Sequence, residues 1–170
     1  MNKNKVIIFS DGASKGNPGP GGFGCIVVWP EGKVTELGGH DKHTTNNRME
    51  LSGAISGLKE VLKNKEEIIF YTDSKYVING MTAWIFNWQK NNWRTADKKP
   101  VSNQDLWEKL AELAKGKKIN WHYVSGHAGI AGNERCDEIA SGLALGEEVN
   151  LYNGSLSGYD IKILDLSQYD

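Results

Sequence analysis

Two aspartates that follow apolar runs are the first residues in this chain to indicate chemistry. The stretch "VIIFSDGA" (residues 6–13) ends its apolar run at Asp11, and "YTDSKYV" (71–77) carries Asp73 after a second run. One such Asp is an ordinary way to end a strand and begin a turn. If a helical crossover joins the two strands, they are expected to be parallel, and as neighbours they bring both carboxylates to one sheet edge, roughly 5 Å apart.

Two further acids, Glu50 and Asp137, each head a stripe of small residues on a predicted helix. The small residues three, four and seven positions later are Gly53, Ala54 and Gly57 in the first helix, and Ala140, Ser141 and Ala144 in the second. Taken singly, each acid is explained as a helix-dipole acid in a first turn. Four converging carboxylates, with no cysteine or histidine pair, favour a hard cation such as Mg²⁺ or Mn²⁺. Two such ions about 4 Å apart can clamp the attacking and leaving oxygens of phosphoryl hydrolysis.

A histidine lies in the glycine-rich stretch "SGHAGIAG", which predicts a mobile loop around His127. A lone loop histidine is usually a solvated side chain. Beside a carboxylate cluster it can also shuttle a proton. The residues alone leave both interpretations open.

The elements that must position these residues follow from periodicity and turn signals. The predicted strands cover residues 5–10, 68–72 and 118–125, and two more form a hairpin within 23–39. The predicted helices cover 48–63, 104–115 and 133–145, and a segment at 74–89 is helical in pieces, with a possible break at Gly80. Glycine- and proline-rich loops are predicted over 12–22, 91–103 and 126–132. This order predicts an α/β protein with a partly antiparallel sheet and helices on its faces.

Charge is distributed unevenly although the net charge is only −1. Residues 147–170 carry a net charge of −4, whereas residues 84–100 carry +3. Four of the six tryptophans lie in or near the basic segment: Trp84, Trp88, Trp93 and Trp107. Basic residues interleaved with aromatics suit a nucleic-acid backbone and its bases. A pair of surface helices with an aromatic face on the core is a compatible alternative.

Compartment is predicted from what the sequence lacks. No apolar run approaches the roughly 20 residues of a membrane span. The first apolar run is too short for a signal peptide. Cys25 and Cys136 have no metal-binding or secretory spacing, so two reduced, buried thiols are predicted. We therefore expect a cytoplasmic protein with no membrane contact, and a monomer.

Five stretches together are highly specific for one family: "DGASKGNPGPGGFG", "TTNNRMEL", "YTDSKYV", "WRTADKKPVSNQDLW" and "GHAGIAGNERCDEIA". Over roughly residues 4–145 the chain resembles a bacterial type 1 ribonuclease H. The resemblance implies an α/β ribonuclease H-like fold, with a five-stranded mixed sheet whose first three strands are antiparallel, flanked by helices. It implies a ribonuclease H domain over 1–146. The acidic tail, 147–170, has no assigned counterpart, and its alternatives are a short strand docked on the sheet edge, a partner-binding segment or an unstructured one.

The resemblance also implies an activity and roles for residues. The family cleaves the RNA strand of RNA–DNA hybrids by a two-metal-ion mechanism that leaves 5′-phosphate ends. Asp11, Glu50, Asp73 and Asp137 would hold two Mg²⁺ ions, with Mn²⁺ as a substitute, and His127 would assist near the leaving group or in product release. The minor groove of the hybrid would be contacted by Asn17, Asn46 and Asn47. A phosphate of the DNA strand would be held by Thr45 and Asn103, and Trp84 would pack on the DNA strand.

Three rival interpretations remain at this point. A hybrid-binding module without activity is expected to lack one of the four acids. Another metal-dependent nuclease or integrase is not expected to combine "TTNNRMEL" with a basic aromatic protrusion. A structural protein whose acids are caps predicts no activity to lose. One departure from relatives is Lys75, where they often carry Gln, which is expected to alter substrate contacts and not the metal site.

Overall fold

One six-stranded sheet forms the centre of the computed structural model, which describes residues 4–165. The strands are β1 (Lys5–Ser14), β2 (Gly19–Val28), β3 (Lys33–Thr44), β4 (Glu67–Thr72), β5 (Ile119–Tyr123) and β6 (Asn153–Ser155), in the spatial order β5-β4-β1-β2-β3-β6. Strands β1, β2 and β3 are antiparallel, and β4 is parallel to β1 and to β5. The mixed sheet is confirmed, but the count of five strands is wrong. The sixth strand is the short "NGS" segment, which has no apolar alternation to announce it.

Helices cover both faces of the sheet. They are α1 (Asn46–Glu60), α2 (Lys75–Asn79), a π-helical turn (Gly80–Trp84), α3 (Ile85–Lys90), α4 (Gln104–Ala114) and α5 (Ala131–Ala144), with a 3₁₀ turn at Leu156–Gly158. The first core lies between the sheet and α1 to α4, and it contains Leu58, Phe70 and Trp107. The second lies under α5 and the C-terminal residues. In the part of the chain that the structure describes, no helix has the length and apolar character to cross a membrane.

The first hairpin is longer than predicted. The loop expected over 12–22 is shorter than predicted, because β1 continues to Ser14 and β2 begins at Gly19, so that only residues 15–18 connect the two strands. Its glycines serve close packing and not a flexible loop: an added Cβ at Gly22 or at Gly24 would lie 2.4 Å from a carbonyl oxygen of α5. The third strand likewise extends beyond the predicted 39 to Thr44.

Both acid-bearing helices begin earlier than predicted. Thr45 caps α1, since its Oγ1 accepts the Arg48 N–H at 3.3 Å, so Glu50 lies in the second turn. Helix α5 begins at Ala131, which places Asp137 near its middle. The interpretation of both acids as first-turn dipole acids is therefore wrong. The starts of the two helices fail to stand out in the sequence because their first two residues are asparagines in α1 and alanine and glycine in α5.

Two other predictions concern Gly80 and the cysteines, and both are confirmed. The helical segment breaks at Gly80 into the π-helical turn, where an added Cβ would lie 1.9 Å from the Trp107 ring. Cys25 and Cys136 are free and buried.

The C-terminal residues dock on the sheet edge. Strand β6 pairs antiparallel with β3 through Lys33↔Ser155, Val34↔Gly154 and Thr35↔Asn153. Of the alternatives for the tail, the described residues thus follow the short docked strand. Residues 166–170 of the predicted tail lie outside the described residues, and the domain boundary at 146 stays a prediction.

Candidate active site

Three carboxylates meet where the parallel pairing of β1 and β4 stops. The last pair of these strands is Ser10↔Thr72, and the next residue in each chain segment is an aspartate, Asp11 and Asp73. Glu50 reaches the same point from α1. One carboxylate oxygen from each acid lies within 4.8 Å of the other two, and across residues 4–165 this is the one such acidic group that can hold a metal ion.

Small residues allow α1 to bring Glu50 onto the strand end. An added Cβ at Gly12 would lie 2.4 Å from the Glu50 main-chain nitrogen, so any larger residue would push the helix away. Gly53, one turn later, faces Asp11 in the same way, with its Cβ position 3.3 Å from the Asp11 carbonyl oxygen. The stripe of small residues seen in the sequence is therefore the contact surface between α1 and the sheet.

Burial and mutual repulsion make it unfavourable for all three carboxylates to carry a negative charge in the absence of a cation. Burial, followed by the charge of Asp73, raises the pKa of Asp11 to about 8, although the Gly12 N–H donates to its Oδ1 at 2.8 Å. Burial, followed by the charges of Asp11 and Asp73, also raises the pKa of Glu50 well above its ordinary value. Glu50 Oε2 is buried without a hydrogen-bond partner within the described residues. An orphaned oxygen among clustered acids fits a hard divalent cation.

The fourth acid and the histidine line the same cavity, of about 280 Å³. Asp137 faces it from α5, and its Oδ1 accepts the Ser141 hydroxyl at 3.4 Å. Its carboxylate is not in the close group of three. His127 lines the cavity from the loop before α5, in a left-handed backbone conformation with φ +59°. The structure thus places all five predicted catalytic residues around one cavity.

The predicted minor-groove residues lie at the head of α1, beside this cavity. Asn17, in the turn between β1 and β2, accepts the Asn46 main-chain N–H at 3.1 Å. Asn46 itself lines the acidic cavity, and the neighbouring Asn47 is exposed. The three asparagines therefore form one polar surface next to the acids.

The other predicted substrate residues form a second cluster, in which Arg48 links Thr45 to Asn103. Arg48 Nη1 donates to Asn103 Oδ1 at 3.3 Å, and its main-chain N–H bonds the Thr45 cap. Trp84 is 38% exposed, and its ring centroid lies 5.9 Å from that of Tyr76. A series of contacts thus runs from the partly exposed Trp84 through Tyr76 and Asn103 to Arg48.

Two site residues were missed by sequence reasoning. Asn133 was treated only as a helix cap, yet it is buried and donates to Asp73 Oδ2 at 3.5 Å; its spacing of four from Asp137 on one helix was the available signal. Tyr76 accepts bonds from Asn103 Nδ2 at 3.0 Å and from Trp107 Nε1 at 3.1 Å. No sequence signal marked it beyond its place in "YTDSKYV". Lys75 lies over the Tyr123 ring, 5.2 Å from its centroid.

Comparisons with known proteins agree with this arrangement. The family model for RNase H matches residues 3–144. A Ribonuclease H of Bradyrhizobium sp. (strain ORS 278) is 56% identical over 135 residues, covering 79% of this chain and 86% of that protein. One from Thermosynechococcus vestitus is 51% identical over 146 residues, covering 85% and 91%. Among solved structures, LC9-RNase H1, a type 1 RNase H with the type 2 active-site motif, is 28% identical with a TM-score of 0.78, covering 92% of this chain and 81% of that one.

Proposed function

The chain belongs to the RNase H family, and from that premise we propose that it is a metal-dependent endoribonuclease that hydrolyses the RNA strand of RNA–DNA hybrids. The observation that carries the proposal is the meeting of Asp11, Glu50 and Asp73 within 4.8 Å, directly beyond the last parallel strand pair. A purely structural protein has no reason to bury repelling acids together, because such burial is unfavourable without a cation.

We propose that the metal is a pair of Mg²⁺ ions, for which Mn²⁺ can substitute. The two ions would be held by the four acids Asp11, Glu50, Asp73 and Asp137. When bound, the ions would supply an activated water and stabilise the departing 3′ oxygen, so that the product carries a 5′-phosphate. The orphaned Glu50 Oε2 and the raised pKa values of Asp11 and Glu50 support this donor set. The Asp137 carboxylate lies apart from the other three, which suits an acid that binds the second metal ion.

The chain's own residues orient this group and handle a proton. Asn133 donates to Asp73 Oδ2 over 3.5 Å, a long bond that would help to orient that carboxylate. His127 lines the cavity on a loop flanked by Gly126 and Gly129, which leaves it free to approach the leaving group. We propose that His127 transfers a proton there or assists product release.

Substrate recognition is assigned to the two polar clusters, the asparagines beside the acidic cavity and the group around Arg48. Asn17, Asn46 and Asn47 would meet the minor groove, where 2′-hydroxyls distinguish RNA from DNA. Thr45 and Asn103 would hold a phosphate of the DNA strand, and Trp84 would pack on that strand. The exposed Trp84 and the bond between Arg48 and Asn103 support this division.

The proposal is tested by cleavage of a labelled RNA–DNA hybrid in Mg²⁺, with duplex DNA, duplex RNA and EDTA as controls. Asp73→Asn and Glu50→Gln should each lower the rate by more than the ~10- to 100-fold typical of losing an outer partner of a metal ligand. Glu31→Gln is the matched control, because Glu31 is exposed in the turn between β2 and β3 and lies outside the site. Ligation of the products by an enzyme that requires a 5′-phosphate tests the predicted ends.

A folded wild type that cuts no hybrid in Mg²⁺ or Mn²⁺ would refute the catalytic proposal and favour a hybrid-binding module. Equal cutting of duplex DNA would favour the other metal-dependent nucleases. The cytoplasmic location and the monomeric state stay predictions, and a protein that binds the tail stays an untested alternative.

A further inference from the structure

The C-terminal segment (residues 150–164) completes the core beneath α5. Its side chains Tyr152, Leu156, Tyr159, Ile163 and Leu164 pack into the second core with Cys136 of α5 and Phe9, Ile26 and Val34 of the sheet. Ile163 is almost fully buried although it lies near the end of the described chain. Helix α5 therefore rests partly on residues that follow it in sequence.

Glu36 of β3 joins this segment to α5. Its side chain is only 1% exposed, and it accepts bonds from Arg135 Nε at 2.8 Å and Nη2 at 3.0 Å. The same carboxylate accepts the Tyr159 hydroxyl at 2.6 Å and the Tyr152 main-chain N–H at 2.9 Å. Arg135 also donates to the Asn150 carbonyl oxygen at 3.0 Å. One buried carboxylate thus holds β3, α5 and the C-terminal segment together.

Arg135 and Asp137 lie on different sides of the same helix. Residues two apart in an α-helix are separated by about 200° around its axis. Arg135 faces Glu36, and Asp137 faces the acidic cavity. The other three acids are carried by β1, by α1 and by the residue after β4. A shift of α5 would therefore move Asp137 relative to all three.

We propose that Glu36 and Tyr159 are positioning residues that act through Arg135 to fix α5, so that Asp137 is held at the metal site. This rests on the proposed function. It assigns a role to the C-terminal segment that the acidic composition of the tail did not suggest. The segment supports the one acid that stands outside the close group of three.

Tyr159→Phe and Glu36→Gln, made in the full chain, test the proposal. The Mg²⁺ concentration that gives half-maximal hybrid cleavage should rise by about 3- to 10-fold, less than for a direct partner of a metal ligand. The rate at saturating Mg²⁺ should stay within about twofold, because metal restores the position of Asp137. Without substrate, Mn²⁺ titration followed by electron paramagnetic resonance should show weaker binding, and amide hydrogen exchange should quicken in α5 but not in α1.

Lys117→Met is the matched control. It removes three bonds from Lys117 Nζ to main-chain carbonyls at the end of α1, each 3.0 Å, and so destabilises the protein away from α5. It should leave the Mg²⁺ requirement unchanged. In an Asp137→Asn background, Tyr159→Phe should no longer weaken Mn²⁺ binding, because the residue through which it acts is gone.

Tyr159→Phe with lower stability but unaltered Mn²⁺ binding and α5 exchange would overturn the proposal and leave the segment a purely structural role. The same change in Mn²⁺ binding for Lys117→Met would also overturn it. If Glu36→Gln fails to fold, Tyr159→Phe decides alone, since it removes one hydroxyl. If the wild type cleaves no hybrid, the proposed function fails, and Mn²⁺ binding and exchange still decide whether α5 is positioned as described.

Discussion

Replacing Asp11 by Asn should stabilise the metal-free protein at neutral pH. The pKa of Asp11 is raised from 3.8 to about 8 in the folded state, first by burial and then by the charge of Asp73. A raised carboxyl pKa means that the folded state binds the proton more tightly than the unfolded state. The stability linked to this proton is complete below pH 3.8 and is lost progressively as the pH rises to about 8.

The size of the effect follows from the span of that titration. The full shift corresponds to ~4 kcal/mol lost by pH 7, at about 1.4 kcal/mol for each pH unit. Because the cavity opens to water and Asp73 is only half-buried, we expect Asp11→Asn to recover about half, ~2 kcal/mol. At pH 4 the substitution should change the free energy of unfolding by less than about 0.5 kcal/mol.

Urea unfolding in EDTA at a series of pH values from about 4 to 8 measures this difference. Asp105→Asn is the control of opposite sign, because bonds from Arg48 hold the pKa of the exposed Asp105 below its usual range. That variant should lose a little stability at neutral pH. An Asp11→Asn protein that is less stable than wild type at pH 7, or whose advantage does not grow with pH, would refute the repulsion argument for the site.

Three further outcomes are expected. Saturating Mg²⁺ should raise the melting temperature of the wild type, because a ligand at 100 times its dissociation constant adds ~2.7 kcal/mol to the free energy of unfolding. The rise should be smaller for Asp11→Asn, and equal rises for the two proteins would show that Asp11 does not bind the metal. Gly80→Ala should lower the free energy of unfolding by ~1–3 kcal/mol, because its Cβ would meet the Trp107 ring, and an unchanged thermal melt would contradict that packing. Bonds from Arg135 and Tyr159 outweigh the effect of burial and lower the pKa of Glu36, so the stability that its charge contributes is present above pH 4.5 and is lost as the pH falls through the lowered pKa. Glu36→Gln should therefore destabilise the protein at pH 7, by an amount that shrinks as denaturant titrations are carried below pH 4.5.

The acidic chemistry of the site and most of the element order could be predicted from the sequence. Asp11 and Asp73 could be placed at one edge because a helical crossover makes their strands parallel, a rule that needs no coordinates. The apolar spacing in α1 and α4 predicted helices because periodicity is a local property of the chain. The stripe of small residues after Glu50 predicted a close contact with the sheet, which Gly12 and Gly53 make.

Features that depend on residues far apart in sequence could be seen only in the folded structure. The glycines of β2 look like a loop until α5 is packed against them, since composition does not record what a residue faces. Strand β6 exists because the edge of β3 is available to it. Glu36 and Arg135 are 99 residues apart, and Glu36 and Tyr159 are 123 apart. No local pattern relates such residues; the packing of the whole chain brings them together and satisfies a buried charge that would otherwise be unfavourable.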